Sequence, residues 1–162
     1  MSPFKKVFEK LQELDIKYQL VEHEPATTIE LADKFVEGIE GVRTKTLFIT
    51  NKKKTNFYLI ITDEFKRLDM KELREILAET PLKMASEEIL LAKMNLTPGI
   101  VSPFGLLANQ EHDITVYFDN AIMKEERMSF HPNTNEKTLF LATKDVIRFL
   151  EAIGYPPKYL DI

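Results

Sequence analysis

The stretch "TKTLFITNKKKTNFYLIITD", residues 44–63, decides the fold of this chain. Two β-rich runs, 44–50 and 57–63, flank a polar segment, 51–56, that holds three lysines. Short apolar runs rich in β-branched and aromatic residues, bounded by polar turn residues, predict a β-hairpin. We therefore expect a hairpin with a solvated lysine tip, with Lys45 near the start of its first strand.

Upstream of the hairpin, the pattern predicts a helix, a strand and a second helix. Ser2 and Pro3 suit an N-cap and a first helical position, and apolar residues then recur at helical spacing. This first helix is expected to end near Asp15. The segment "YQLVEHEPA", residues 18–26, is typical of a short strand that runs into a turn at Pro25.

The second helix carries its own start and stop signals. Thr27 and Glu30 form a capping-box pair, and Gly38 or Gly41 is expected to close the helix. Downstream of the hairpin, we expect helices at 69–77, 86–94 and 143–153, and strands within 114–119, 127–132 and 138–143.

Helices and strands alternate here without a regular βαβ rhythm, which favours an α+β fold. A chain of 162 residues without a linker, repeat or low-complexity segment fits one domain. We therefore expect a single domain over residues 1–162, with a curved, partly barrel-like mixed β-sheet flanked by helices.

Composition excludes several kinds of site and partner. The chain has no cysteine, so disulfides, thiolate metal sites and cysteine nucleophiles are excluded. The formal net charge of −4 argues against wide, sequence-independent binding along a nucleic acid backbone but allows a local basic patch. No run of about 18 apolar residues occurs, so we expect no membrane span. The charged N-terminus does not resemble a secretory signal, so we expect a cytoplasmic location.

Established motifs for nucleotides and metals are absent. The sequence contains no P-loop, no GxGxxG and no HExxH. The three histidines, His23, His112 and His131, share no ligand spacing, and we expect neither a metal nor another cofactor. Ser102 lies in "VSPFG" and not in GxSxG, and Pro103 removes one amide that a nucleophile elbow would use. A serine nucleophile is therefore not expected.

The stretch "TPGIVSPFG", residues 97–105, is unusually stiff and bare of side chain. It holds two prolines and two of the five glycines in the chain. Proline fixes φ and removes an amide donor, whereas glycine permits backbone shapes and close approaches that other residues forbid. Such a loop either turns a tight corner or presents its backbone to a ligand, and the local sequence leaves both open.

Three features could form one site: Lys45, the loop from Gly99 to Gly105, and "HPNTN" at 131–135. Each alone is typical of ordinary structure, since a strand lysine is commonly solvated and Pro/Gly or Asn/Thr segments commonly form turns. Their joint occurrence favours a site.

These segments resemble the YbaK and prolyl-tRNA synthetase-associated editing domain family. "VEHEPATTIELAD", "TKTLFI", "LTPGIVSPFGLLAN" and "FHPNTNEKT" fall in the family's order and spacing. Within the family, the chain looks most like free-standing deacylases that hydrolyse alanine mischarged onto proline tRNA. The cysteinyl-tRNA deacylase branch tends to have a Gly-Cys-Ser-Pro loop and to lack the His-Pro-x-Thr-Asn segment, which this chain has at 131–135.

The resemblance implies hydrolysis of an aminoacyl-tRNA ester, which requires a positioned water and donors for the developing oxyanion. The backbone of residues 99–105 is expected to hold the ester, and a hydroxyl of the terminal ribose to activate the water. Lys45 would bind a nearby phosphate, and His131 would brace the loop or position the substrate. The implied catalytic group is Lys45, Gly99, Ser102 and His131. The implied substrate-binding residues are His23, Thr44, Ile100, Val101, Pro103, Phe104, Gly105, Asn109, Asn133, Thr134 and Asn135.

Two other functions stay open at this point. One is a related deacylase for cysteinyl-, seryl- or threonyl-tRNA, because pockets separate side chains that differ by one small group by only about 1–3 kcal/mol. The other is a non-catalytic module that binds tRNA or a synthetase. The expected partner is the acceptor end of proline tRNA, with prolyl-tRNA synthetase as a second candidate. Neither the oligomeric state nor the tRNA bases that are read follow from these residues.

Overall fold

Residues 3–162, described here from a computed structural model, form five α-helices and eight β-strands. The helices are α1 (Pro3–Glu13), α2 (Ile29–Phe35), α3 (Met70–Ile76), α4 (Glu87–Met94) and α5 (Thr143–Ala152). The strands are β1 (Tyr18–Glu22), β2 (Val42–Asn51), β3 (Phe57–Asp63), β4 (Leu82–Met84), β5 (Ile114–Asp119), β6 (Arg127–Phe130), β7 (Lys137–Ala142) and β8 (Lys158–Leu160). Two 3₁₀ helices span Pro103–Ala108 and Asn120–Ile122. Among these helices, none is long and apolar enough to cross a membrane.

The predicted hairpin is confirmed and lies near the middle of the sheet. β2 and β3 pair antiparallel over seven residue pairs, beginning with Thr44 opposite Asp63. The lysines at 52–54 are exposed at its tip, and Lys45 lies near the start of β2.

Both faces of the hairpin are covered, which explains the nearly continuous apolar sequence of its strands. Side chains alternate between the two faces of a strand. Phe48 and Leu59 enter the main core, to which α1, α4 and α5 contribute. Ile49 and Ile60 enter a second cluster that includes Leu73 of α3. A strand buried on both faces shows no polar alternation.

The sheet is mixed and open. Its strand order is β1-β7-β6-β2-β3-β5-β8, and β4 pairs with β2 off this path. The pairs β2–β6, β3–β5 and β5–β8 are parallel, and the other pairs are antiparallel. Within residues 3–162, the end strands β1 and β8 do not pair with each other, so the sheet does not close. The predicted α+β class, with helices flanking a mixed sheet, is confirmed.

One edge of β2 is shared by two strands and is free between them. β6 pairs with residues 42–43, whereas β4 pairs with residues 49–51. Among the described strands, none pairs with this edge at 44–48, although the carbonyl of Phe48 accepts the N–H of Ala85 at 2.9 Å. The gap exposes the middle of β2 to a cavity.

Capping side chains begin two of the helices at the predicted positions. Asp69 caps α3 and Ser86 caps α4, each through side-chain oxygens that accept N–H groups of the first turn. Gly154, with a φ of +91°, follows the end of α5 as predicted. The predicted cap Ser2 lies outside the described residues.

The start of α2 corrects one prediction. Its cap is Thr28 and not Thr27, because Thr28 has an extended backbone and its Oγ1 accepts the N–H of Leu31 at 3.1 Å. The helix therefore begins one residue later than expected, and Glu30 does not occupy the N3 position that a capping box requires. The helix ends before Gly38, whose φ of +84° lies in the turn that follows.

Replacing Gly105 by alanine should destabilise the fold. A Cβ built at Gly105 would lie 2.5 Å from Leu96 Cδ1 and 2.7 Å from Met94 Cε. Both neighbours are buried and cannot withdraw into solvent. We predict that Gly105→Ala lowers the free energy of unfolding by about 1–3 kcal/mol, the usual cost of overpacking, in a urea titration. A variant as stable as the parent would show that the ends of the Leu96 and Met94 side chains move aside for the added methyl group.

Candidate active site

A cavity of about 400 Å³ opens at the gap in the edge of β2. Its wall combines β2, the start of α2, the end of β4 and the loop before the first 3₁₀ helix. Residues from all three sequence features therefore meet at one cavity. The predicted site residues that line it are Thr44, Lys45, Gly99, Val101 and His131.

Lys45 is half-buried at this cavity. Burial is the main cause that lowers the pKa of its ammonium group, while nearby Asp63 raises this pKa and Arg67 lowers it. In the described part of the chain, no carboxylate forms a salt bridge with Lys45. A partly desolvated cation without a carboxylate partner is suited to binding an anion.

Gly99 is exposed in the loop and needs the conformational freedom of glycine. Its φ is +94°, and a Cβ built there would have no heavy atom within 4 Å. The N–H of Ile100 donates to the carbonyl of Thr97 at 3.4 Å. The N–H groups of Gly99 and Val101 form no hydrogen bond with any other described residue. Two backbone donors are therefore unused beside the cavity.

The same loop borders a second groove, of about 410 Å³. The "HPNTN" segment on its other side is held to the chain after β1. The N–H of Ala26 donates to the carbonyl of Asn135, and the N–H of His23 donates to that of Glu136, both at 2.9 Å. The predicted site residues that line this groove are Gly99, Ile100, Asn133, Thr134 and Asn135.

Ser102 is the N-cap of the first 3₁₀ helix and is buried. Its Oγ donates to Oδ1 of Asn133 at 3.1 Å and accepts the N–H of Phe104 at 3.2 Å. None of the three histidines, all within the described residues, hydrogen-bonds with it. Ser102 thus joins the loop to the "HPNTN" segment and lacks the adjacent histidine base that would activate a serine nucleophile.

Three residues expected to bind substrate lie in the core instead. Pro103, Phe104 and Gly105 are all buried in the first 3₁₀ helix. The ring of Phe104 packs edge-on against Phe149, with 5.1 Å between centroids. Residues 97–101 therefore border the cavities, whereas in the three residues that follow Ser102 proline and glycine serve a tight buried turn. The placement of these three does not support contact with a substrate.

Asn109 does not line either cavity. Its Nδ2 donates to the carbonyl of Lys93 at 3.2 Å and to Oδ1 of Asp113 at 3.0 Å. Its Oδ1 accepts the N–H of His112 at 2.9 Å and the hydroxyl of Tyr155 at 2.6 Å. These four bonds use the hydrogen-bonding capacity of the amide, so this placement does not support the prediction that Asn109 binds substrate.

His131 lies in the cavity wall with one ring nitrogen committed. Its Nδ1 is 3.1 Å from the carbonyl oxygen of Lys137, which only accepts, so Nδ1 carries the proton. Burial is the main cause that lowers the pKa of His131. The ring is therefore neutral near pH 7, and Nε2 is an acceptor.

His23 supports the site without lining either cavity. Its Nδ1 donates to the carbonyl of Glu24 at 2.7 Å, and its Nε2 accepts the hydroxyl of Thr138 at 2.9 Å. The ring stacks on Phe35, with 4.7 Å between centroids. These contacts commit both ring nitrogens, so His23 is placed as a brace and not as a direct ligand.

Sequence reasoning missed a carboxyl group at this site. Glu64, directly after β3, lines the cavity and an adjoining inner void of about 30 Å³. Thr44 also lines both, and its hydroxyl donates to the carbonyl of Ser129 at 2.6 Å. Burial first, and then the carboxyl group of Asp33, raise the pKa of Glu64 to about 8. No sequence signal marks Glu64 and Asp33 as neighbours, because these two residues meet only when α2 packs beside the end of β3.

The described residues offer no cluster of metal ligands. The three histidines belong to separate networks, and the ring of His112 stacks on Tyr155 with 4.7 Å between centroids. Among residues 3–162, no group of three or more His, Cys, Asp or Glu side chains could hold a metal ion. The expectation that no metal takes part stays a prediction.

Removing the Ser102 hydroxyl should destabilise the fold. Ser102→Ala deletes the cap of the 3₁₀ helix and a buried hydrogen bond to Asn133. We predict a loss of about 1–2 kcal/mol in the free energy of unfolding, measured in urea. Ser86→Ala, which removes only the cap of α4, is the matched control and should cost about 1 kcal/mol. Unchanged stability of Ser102→Ala would contradict the anchoring role.

The chain matches the family model for the aminoacyl-tRNA editing domain over residues 23–149. It is 34% identical to the prolyl-tRNA editing protein ProX of Acetoanaerobium sticklandii, covering 96% of this chain and 95% of that protein. It is 29% identical to the mouse prolyl-tRNA synthetase associated domain-containing protein 1, covering 94% of this chain and 92% of that protein.

The fold is also similar to a solved structure. A proposed trans-editing enzyme for prolyl tRNA synthetase superposes with a TM-score of 0.75 at 20% identity, covering 99% of this chain and 96% of that one. The segment matched by the family model contains Lys45, Gly99 and His131. The family predicted from the sequence is confirmed: this chain belongs to the aminoacyl-tRNA editing domain family.

Proposed function

We propose that this protein is a cytoplasmic trans-editing deacylase that hydrolyses the ester of alanine mischarged onto proline tRNA. Its family is that of aminoacyl-tRNA editing domains, and the relative of highest identity reported above is named a prolyl-tRNA editing protein. The observation that carries the proposal is the cavity shared by the Lys45 ammonium group and the exposed backbone of Gly99.

Lys45 binds a phosphate close to the 3′ end of the tRNA. Its ammonium is a compact cation that forms no salt bridge with a carboxylate of the described residues, so it is available to a phosphate oxygen. A single phosphate contact is compatible with a net charge of −4, because it needs no extended basic surface.

The loop backbone stabilises the oxyanion. The N–H groups of Gly99 and Val101 have no other described partner, and backbone donors aimed at a developing oxyanion lower the barrier to acyl transfer. The hydroxyl of Ser102 is tied to Asn133, so water attacks the ester directly. A hydroxyl of the terminal ribose activates that water, and Nε2 of His131 accepts a hydrogen bond from the substrate.

The size of the site supports a small aminoacyl group. A volume of about 400 Å³ lies at the lower end of the usual range for small-molecule sites. The terminal ribose and the aminoacyl group share this volume, which favours a short side chain. The alanine, serine, cysteine and threonine side chains differ by only one or two small groups, so the hydrolysis rates of their esters are compared directly.

A deacylation panel tests the proposed function. Proline tRNA charged with alanine, cysteine, serine, threonine or proline is incubated with the protein, with and without chelator and with and without prolyl-tRNA synthetase. We expect the alanyl ester to be hydrolysed fastest and the chelator to have no effect. Faster loss of another ester would reassign the substrate. If the protein binds the tRNA but hydrolyses none of the esters, the result would support the alternative function, a non-catalytic module that binds tRNA.

Lys45→Ala should depress deacylation and leave the fold intact. Loss of a charged hydrogen bond to a phosphate is expected to cost about 10- to 100-fold in kcat/KM. The melting temperature should barely change, because a half-exposed lysine without an ion pair adds little to stability. Lys144→Ala, an exposed lysine in α5, is the control. A Lys45→Ala enzyme with full activity would remove this residue from the site.

A further inference from the structure

Glu64 occupies the junction of three spaces. It lines the main cavity, the inner void and an outer groove of about 830 Å³. Its backbone N–H donates to the carbonyl of Arg43 at 2.9 Å, which fixes the start of its side chain beside β2. The carboxyl group therefore belongs to the wall of the candidate active site.

One oxygen of this carboxyl group lacks a donor among the described residues. Oε1 of Glu64 is buried and accepts no hydrogen bond from any described residue. The nearby guanidinium of Arg43 is used elsewhere, since it donates to the carbonyls of Val36, Ile39 and Gly41 at 2.7 to 2.9 Å. Buried carboxyl groups are normally paired or hydrogen-bonded. Oε1 of Glu64 is therefore available to accept a hydrogen bond from a bound molecule.

The neighbour that faces Glu64 is a second carboxyl group. Asp33 of α2 lines the inner void and the outer groove together with Glu64. Burial and then the carboxyl group of Asp33 raise the pKa of Glu64, as Asp63 does more weakly, while Arg43 lowers it. With a pKa of about 8, Glu64 holds a proton near pH 7. A cationic N–H group could replace that proton and satisfy both carboxylates.

The free edge of β2 adds acceptors at the same cavity. The carbonyl of Phe48 accepts the N–H of Ala85, and that of Val42 accepts the hydroxyl of Ser129, so both point to this side of β2. Alternate residues of a strand direct their carbonyls to the same side. The carbonyls of Thr44 and Thr46 therefore point into the gap.

The cavity thus offers a cation at Lys45, a carboxyl group at Glu64 and backbone acceptors on β2. An aminoacyl-tRNA end has the opposite charges, a phosphate at one side and a free α-ammonium at the other. We infer that Glu64, backed by Asp33 and the β2 carbonyls, binds the α-ammonium group of the aminoacyl ester and so selects substrates with a free amine. This inference rests on the proposed function and identifies what its site recognises.

Binding of a stable analogue tests this inference without turnover. The probe is 3′-deoxy-3′-(L-alanylamino)adenosine, in which an amide replaces the ester, compared with its N-acetyl derivative. Calorimetry at pH 7 in two buffers of different ionisation enthalpy gives the affinity and the protons released. We expect the wild type to prefer the free amine by about 10- to 100-fold, the range for a charged hydrogen bond, and to release a proton as Glu64 ionises.

Glu64→Gln should lose this preference and the proton release. Glu37→Gln, which removes an exposed carboxylate from the outer groove, should keep both. The wild-type comparison of free and acetylated amine does not depend on any variant folding. Absence of a preference for the free amine in the wild type, or a Glu64→Gln variant that keeps it, would overturn the inference.

Hydrolysis of alanyl and N-acetylalanyl tRNA separates two roles of Glu64. Loss of hydrolysis of the free ester alone in Glu64→Gln supports ammonium binding. An equal loss on both esters would assign Glu64 as a general base and overturn the inference. If the wild type hydrolyses no ester, the proposed function fails, and the analogue titration still decides whether the cavity binds an ammonium group.

Discussion

The divided pairing of β2 is the constraint on which the site depends. One edge of this strand is bound by β3 along its length, whereas the other edge is bound by β6 at its start and by β4 at its end. The middle of the strand is therefore rigid, because β3 and the two cores hold it, and still open on one side. A cavity in that position has walls that cannot collapse, and it presents Lys45 together with backbone acceptors.

The loop opposite β2, residues 97–105, has an exposed first half and a buried second half. Residues after Ser102 form a buried turn packed against Phe149, whereas residues 97–101 border both the main cavity and the second groove. The Ser102 hydroxyl links the loop to Asn133 across the second groove. Fixing a short exposed backbone segment from its buried end is a way to hold amide donors in place at low entropic cost.

Much of the fold could be predicted because its signals are local. Two apolar runs joined by a lysine-rich segment predict the β2–β3 hairpin. The caps Asp69 and Ser86 act on the first turn of the helix that follows each of them. The three-residue strands β4 and β8 escaped prediction, because a strand that short forms only where a neighbour offers an edge. A resemblance in sequence order also does not say which way a side chain points. Phe104 and Asn109 lie within matching motifs but face the core and a buried network, and Glu64 acquires a partner only in the folded chain.

The gap in β2 also bears on whether another chain can add a strand to the sheet at this edge. A free strand edge usually invites another chain to add a strand, which leads to aggregation. Here the free stretch covers five residues, about 17 Å of strand, and is closed at both ends by β6 and β4. An extended chain cannot lie along it without meeting those strands, whereas a compact group can enter from the side. The length of this edge therefore disfavours strand addition by another chain at this position.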